Sequence, residues 1–230
     1  MGVNLAWMCA GVNMYPVTTS SRTSYHHGDL RNALARAAAE LATTGGPDAV
    51  TIRGAAREVG VTPTAAYRHF ANQSDLLEAA RGLAMDGMSA AMAEFLQQVP
   101  EDGDPIARAI GRLESTGRGY IRFALQEPGI FRTCFTGRLR EAQGTGMGEP
   151  APYALLGTML DELVEIGYLA PEDRPGAEAG PWAAVHGLAM LLIDGPLKEM
   201  TDAERADAID RTLEMTTRGL ATGPKARSKH

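Results

Sequence analysis

Residues 51–70 read "TIRGAAREVGVTPTAAYRHF", and two short apolar-periodic runs meet there at Gly60. In the first run Thr51 stands at a helix N-cap, and Ile52, Ala55 or Ala56 and Val59 form a stripe about two turns long. Gly60 terminates it. Val61 is a buried-type residue inside the turn, Thr62 is a second N-cap, and Pro63 takes the first helical position, where its missing N–H costs nothing. The pattern predicts a further helix from Pro63 to Phe70. With Ala66 at the core and an advance of about 100° per residue, Phe70 falls beside it, Thr64, Ala65 and Arg68 on the opposite side, and Tyr67 and His69 on the flanks. Such a helix buries few side chains and offers the rest outward.

Helix, glycine turn, helix is the helix-turn-helix arrangement, whose second helix enters the major groove of DNA. There the outward residues meet base edges, and flanking hydroxyl or imidazole groups reach phosphate oxygens. Arg68 has two donors for guanine O6 and N7. Geometry alone leaves a second reading open, a solvated helix face on an ordinary bundle.

Outward from this segment the helical signal continues. Upstream, "HGDLRNALARAAAELATTGG" repeats Leu30, Leu34, Ala37 or Ala38 and Leu41, with Asp29 in the first turn and Gly45 and Gly46 at the end. Downstream, "ANQSDLL" restarts the chain into a long helix from about 74 to 99, whose Gly82 and Gly87 predict that it bends or moves. Further helices are expected at about 106–127, after Pro128, and at about 151–168, 176–197 and 203–220. Trp182, Val185, Ala189 and Leu192 or Ile193 form one apolar stripe, and Ala206, Ile209, Leu213 and Leu220 a second. "EAQGTGMGEP" (141–150) reads as a flexible loop, since no strand precedes its glycines as a phosphate cradle requires. Hydrophobic residues make up 44% and aromatics only 6% of the 230 residues, with alanine prominent, so the class is all-α with closely packed helices.

The net charge of −6 argues against nucleic acid only until it is divided along the chain. Residues 1–84 carry a balance of +1, 85–217 a balance of −11, and the last thirteen a balance of +4. An acidic body therefore has a more cationic front end. Cys9 and Cys134 form neither a disulfide framework nor a metal knuckle, and no run approaches the roughly 20 apolar residues of a membrane span. A reducing cytoplasm is the expected location. Residues 1–24 are expected to be a disordered extension and 218–230 a basic flexible tail.

Residues 25–84, "YHHGDLRNALARAAAEL" with "TIRGAAREVGVTPTAAYRHF" and "SDLLEAA", closely resemble the DNA-binding domain of TetR-family transcriptional regulators. The Gly60-Val61-Thr62 turn and the Tyr67-Arg68-His69-Phe70 ending occur together at the family's spacing. The resemblance implies a three-helix helix-turn-helix domain, joined by a fourth helix to a larger helical domain (85–217) that binds a ligand and dimerises. "EPGIFRTCF" and "PWAAVHGLAMLLIDGPL" resemble one subgroup, with a Trp182, His186, Gly187 signature. The expected DNA contacts are Tyr25, His26, Arg53, Thr62, Thr64, Ala65, Tyr67, Arg68, His69 and Gln73. Gln73 stands where the family commonly has a phosphate-contacting lysine, which implies a weaker contact here. The two stripes at 176–220 suit a four-helix interface in a homodimer, as the resemblance implies.

The family's inducers are usually small and largely apolar. Met88, Met92, Tyr120, Phe123, Phe131, Tyr153, Met159, Trp182 and His186 are the candidate walls, because methionine and aromatic side chains adapt to irregular ligands; plain core is the alternative for each. No histidine pair has metal-ligand spacing. Asp161, Glu162 and Glu165 read as a solvated face rather than acid/base machinery. Neither metal, cofactor nor catalysis is expected. The leading reading is a dimeric repressor that leaves double-stranded operator DNA when a small effector binds. The alternative is a small-molecule-binding helical dimer whose DNA reading is weak or lost.

Overall fold

The computed structural model describes residues 27–135 and 151–221, and every regular element within them is helical. Tyr25, His26, Cys9, the 1–24 segment and the 141–150 loop lie outside the described residues, as does the tail beyond residue 221. Helix α1 spans His27–Gly45 and a 3-10 turn Pro47–Ala49 follows. α2 spans Ile52–Val59, with Thr51 Oγ1 accepting from the Gly54 N–H at 3.0 Å. Gly60 adopts φ 75°, ψ 29°, a left-handed conformation that lets the Val61 N–H reach Ala56 O at 2.9 Å and close the helix. α3 spans Pro63–Tyr67, capped by Thr62 Oγ1, which accepts from the Ala65 N–H at 3.2 Å.

α4 spans Gln73–Leu96 and starts at Asn72, whose Oδ1 accepts from the Asp75 N–H at 2.9 Å. α5 covers Pro105–Gln126, α6 Pro128–Phe135 and α7 Ala151–Glu165. After a second 3-10 turn, α8 covers Ala179–Ile193 and α9 Asp202–Leu220. α9 begins with a reciprocal box: Glu204 Oε2 accepts from the Thr201 N–H at 2.8 Å, and Thr201 Oγ1 accepts from the Glu204 N–H at 3.3 Å.

Three apolar clusters organise these helices. Leu34, Ala38, Ala55, Ala66, Phe70, Leu76 and Ala80 join α1 to α3 and the start of α4, and the many alanines allow close helix approach. Met88, Met92, Tyr120, Phe131, Ala189 and Leu192 form the second, between α4, α5, α6 and α8. Leu113, Leu156, Met159, Leu160 and Leu163 form the third, between α5 and α7. α4 thus serves two clusters with one uninterrupted helix. Gly87 has a packing reason: a Cβ there would lie 3.2 Å from the Phe123 ring.

Several ends differ from the sequence expectation, for local reasons. α3 stops at Tyr67, although the Phe70 N–H still bonds Ala66 O at 3.1 Å and so keeps Phe70 under the helix. α7 ends at Glu165 because Gly167 takes φ 75° and the Tyr168 and Leu169 N–H groups both fold back to Leu163 O. α8 is shorter at both ends: Gly176 turns at φ 74°, and at Gly195 the chain folds back against Leu191 ahead of Pro196. α9 ends at Leu220, as expected, so Arg218, also assigned to the tail, is helical and pairs with Glu214 at 2.5 Å.

The larger correction concerns the two C-terminal stripes. The first needs no second protomer, because Val185, Ala189 and Leu192 of α8 are buried with α5 inside one chain, and of the second Leu213 of α9 joins the same cluster. Leu192 is 2% exposed. Ala206 of the second stripe is exposed and Leu220 packs against the third cluster.

Candidate nucleic-acid interface and effector cavity

The surface of α3 divides as its short amphipathic pattern requires. Ala66 is fully buried, Thr64 and Arg68 are exposed, His69 is half-buried and Tyr67 is 49% exposed. Ala65 is half-buried, which limits it to contact at the rim of the face. Thr62 Oγ1 already accepts from the Ala65 N–H, and its hydroxyl proton remains to be donated to a phosphate oxygen.

Beside this face lies a surface groove of about 520 Å³ lined by Thr51, Ile52, Arg53, Tyr67, Ala71, Asn72 and Gln73. The N-termini of α2 and α4 both open into it, at the caps Thr51 and Asn72. The first N–H groups of a helix lack intrahelical partners and carry partial positive charge. Two such ends, with the Arg53 guanidinium and the Tyr67 hydroxyl, suit an anionic oxygen. The geometry therefore separates Arg68 and Thr64 on the open face from Arg53, Tyr67 and Gln73 around the groove. The convergence of the two helix N-termini was absent from the sequence reading, although each cap was legible in it.

In the larger half, the candidate walls do not all meet. A cavity of about 30 Å³ is lined by Met92, Tyr120 and Trp182 together with Leu113, Thr116, Gly117, Pro152, Leu156, Pro181, Val185, Leu213 and the Glu114, Thr216 and Thr217 edge. Phe131 and His186 stand behind Tyr120, in an aromatic cluster that also includes Phe135, 4.6 Å from His186 between ring centroids. Tyr153 packs on Trp182 at 5.6 Å. Phe123 and Met88 are core residues of the second cluster, and Met159 belongs to the third. Apart from Glu114, the lining residues that sequence reasoning missed are small or aliphatic, types that carry no signal separating a cavity wall from plain core.

Tyr120 and His186 are joined by a 2.9 Å contact between the hydroxyl and Nδ1. Burial raises the Tyr120 phenol well above its ordinary value and lowers the His186 imidazole, so both are neutral near pH 7. Burial likewise pushes the Cys134 thiol up to about 12, which denies it thiolate character. No group of three or more His, Cys, Asp or Glu side chains placed to hold a metal occurs among the described residues.

These features match known proteins on both sides of α4. The model for bacterial regulatory proteins of the tetR family matches residues 34–80, and a tetracyclin repressor-like C-terminal domain matches residues 113–216. The chain belongs to the TetR family. A TetR-family protein is a DNA-binding transcription regulator rather than an enzyme, with an N-terminal helix-turn-helix domain and a helical C-terminal domain. Among solved structures, a protein with unknown function from Rhodococcus sp. RHA1 has a TM-score of 0.68 at 23% identity, covering 87% of this chain and 100% of its own. A TetR family transcription regulator from Marinobacter aquaeolei VT8 has a TM-score of 0.59 at 18% identity, covering 84% and 96%. A TetR-family transcriptional regulator from Pectobacterium atrosepticum has 0.60 at 21%, covering 87% and 100%. These similarities carry the TetR fold. No curated protein matches the chain. Among the described residues of this TetR-family chain, no helix is long and apolar enough to cross a membrane.

Proposed function

We propose that this regulator is a cytoplasmic homodimeric repressor, released from its operator by a small, largely apolar effector. The observation that carries the reading is the outward face of α3, with Arg68 and Thr64 free to meet base edges beside a groove that two helix N-termini make suitable for a phosphate. Arg68 is assigned to a base, and Tyr67, Arg53 and Gln73 to the backbone. Binding of Arg68→Ala and Tyr67→Phe to an operator library, drawn from the DNA upstream of its own gene, against random duplex at fixed salt tests the division. Arg68→Ala is expected to cost about 1–3 kcal/mol on the cognate site and little on random DNA. Tyr67→Phe is expected to weaken both alike by about 0.5–1.5 kcal/mol, the worth of one neutral hydrogen bond. Equal loss on every sequence for Arg68→Ala would make it another phosphate contact.

Support for effector release comes from the place of the cavity, which Met92 of α4 helps to line. At about 30 Å³ it is far below the roughly 300–1,000 Å³ of ligand pockets, so an effector binds only a state in which the surrounding helices have moved. α4 passes from this cluster into the DNA-binding domain, and a ligand that favours a wider cavity therefore also biases the spacing of the reading heads. An apolar compound that quenches Trp182 fluorescence, read in a Trp7→Phe background, is expected to lower operator affinity. A compound that saturates the cavity and leaves operator affinity untouched removes this part of the proposal.

Dimerisation is assigned to the outer faces of α8 and α9, not to the inward stripes. Gly180, Ala183, Gly187 and Leu191 share one exposed side of α8, and Met215 on α9 is 72% exposed. Such a face, doubled by a two-fold axis, makes a four-helix interface.

A further inference from the structure

The base-reading helix α3 has five residues, fewer than the roughly 12–15 at which an isolated helix sustains itself, so its direction is imposed by its neighbours. Its start is held by the Gly60 turn and the Thr62 cap, and its underside by Ala66 and Phe70. Its far end emits carbonyls that have no partner within the helix. Just past that end, His69 O accepts a 2.9 Å hydrogen bond from Arg31 Nη1, which reaches across from α1. The same guanidinium carbon lies 4.6 Å from the centroid of the Phe70 ring, within cation–π range. A cation at a helix C-terminal end is also favoured by the helix dipole. One exposed side chain on α1 thus holds the two residues that directly follow Arg68.

We propose that Arg31 is a positioning residue for base reading: by fixing the C-terminal end of α3 to α1, it sets the aim of the α3 face without itself touching a base. The proposal deepens the reading of α3 given above and rests on it. The physical reason is the steep angular dependence of hydrogen bonds, which lose strength as the donor angle falls from above 150°. A short helix pinned at one end only swings at the other, where Arg68 stands.

The test uses the full chain, with Arg31→Met, Arg31→Lys, Arg68→Ala and the double variant Arg31→Met/Arg68→Ala, each bound to the operator library and to random duplex over a range of salt. Arg31→Met is expected to melt as the parent does and to bind random duplex with the parent's salt slope. On the cognate site it is expected to lose about tenfold, the size of one charge-assisted hydrogen bond, and to flatten base preference. Lysine, which can still donate to His69 O and lie over Phe70, is expected to recover most of that preference. The double variant is expected to lose little more than Arg68→Ala alone. An equal loss on cognate and random DNA, with a salt slope shallower by about 0.9 for each protomer, would make Arg31 a phosphate contact and overturn the proposal, as would unchanged binding. Should Arg68→Ala leave base preference intact while Arg31→Met flattens it, the assignment of Arg68 fails but the positioning role stands through another residue of the same face.

Discussion

Leu192→Glu is expected to unfold the C-terminal half of the protein, whereas Leu191→Glu, one residue earlier, is expected to leave it folded and to break the proposed dimer. Leu192 is 2% exposed in the cluster of α4, α5, α6 and α8, and Leu191 is 43% exposed on the outer side of α8. Removing a buried leucine side chain costs about 2–5 kcal/mol by itself. A carboxyl placed there without a partner adds a desolvation cost that forces it to stay protonated or opens the helix packing. The total approaches the entire stability of a typical domain, about 5–15 kcal/mol. At Leu191 the same substitution meets solvent in the free protomer, and in the proposed dimer it would face its symmetry mate, where two like charges repel. Thermal melting and light scattering on both variants separate the two effects. Leu191→Glu that stays dimeric, with operator affinity unchanged, would remove the outer face of α8 from the interface.

Gly129→Ala is expected to be the most damaging glycine substitution among the described residues. A Cβ at Gly129, in the first turn of α6, would lie 2.2 Å from Thr43 O and 2.3 Å from Ala42 O at the end of α1. Those are backbone atoms, so no side-chain rotation relieves the collision, and α6 must separate from α1. Alanine gains only about 1 kcal/mol of helix propensity over glycine. The forced separation costs about 1–3 kcal/mol or more by the usual penalty for overpacking. It also disturbs both neighbours of α6. Ile130 packs against the first and second clusters together, and the Arg132 guanidinium donates to Asp194 at the end of α8, with Nε to Oδ2 at 2.8 Å. A lower melting temperature with weakened operator binding is the expected pair of results. A variant melting with the parent would show that α6 does not lie this close to α1.

Much of the architecture was legible before any coordinates, because it is written in local chemistry. Thr51, Gly60, Thr62 and Pro63 each act on backbone groups within a few residues, so cap, turn and helix start follow from the order of residue types. The split of α3 into a buried Ala66 and Phe70 and an outward Thr64 and Arg68 followed in the same way from a fixed angular period. Helix ends were less legible where the chain folded back on itself, as at Gly167 and Gly195.

Periodicity identifies which side chains leave water, and from it follow an all-helical chain, the helix-turn-helix, and the apolar stripes of α8 and α9. It does not say what covers a stripe. The inward turn of Val185, Ala189, Leu192 and Leu213 toward α5, and so the removal of those side chains from the surface, was decided by tertiary packing between helices more than 50 residues apart in the chain. The same holds for the meeting of Arg31 with His69, for the backbone approach at Gly129 and for a cavity walled by leucine, proline, threonine and glycine as much as by aromatics. Each depends on distances between separate elements, and a linear pattern carries no record of those distances.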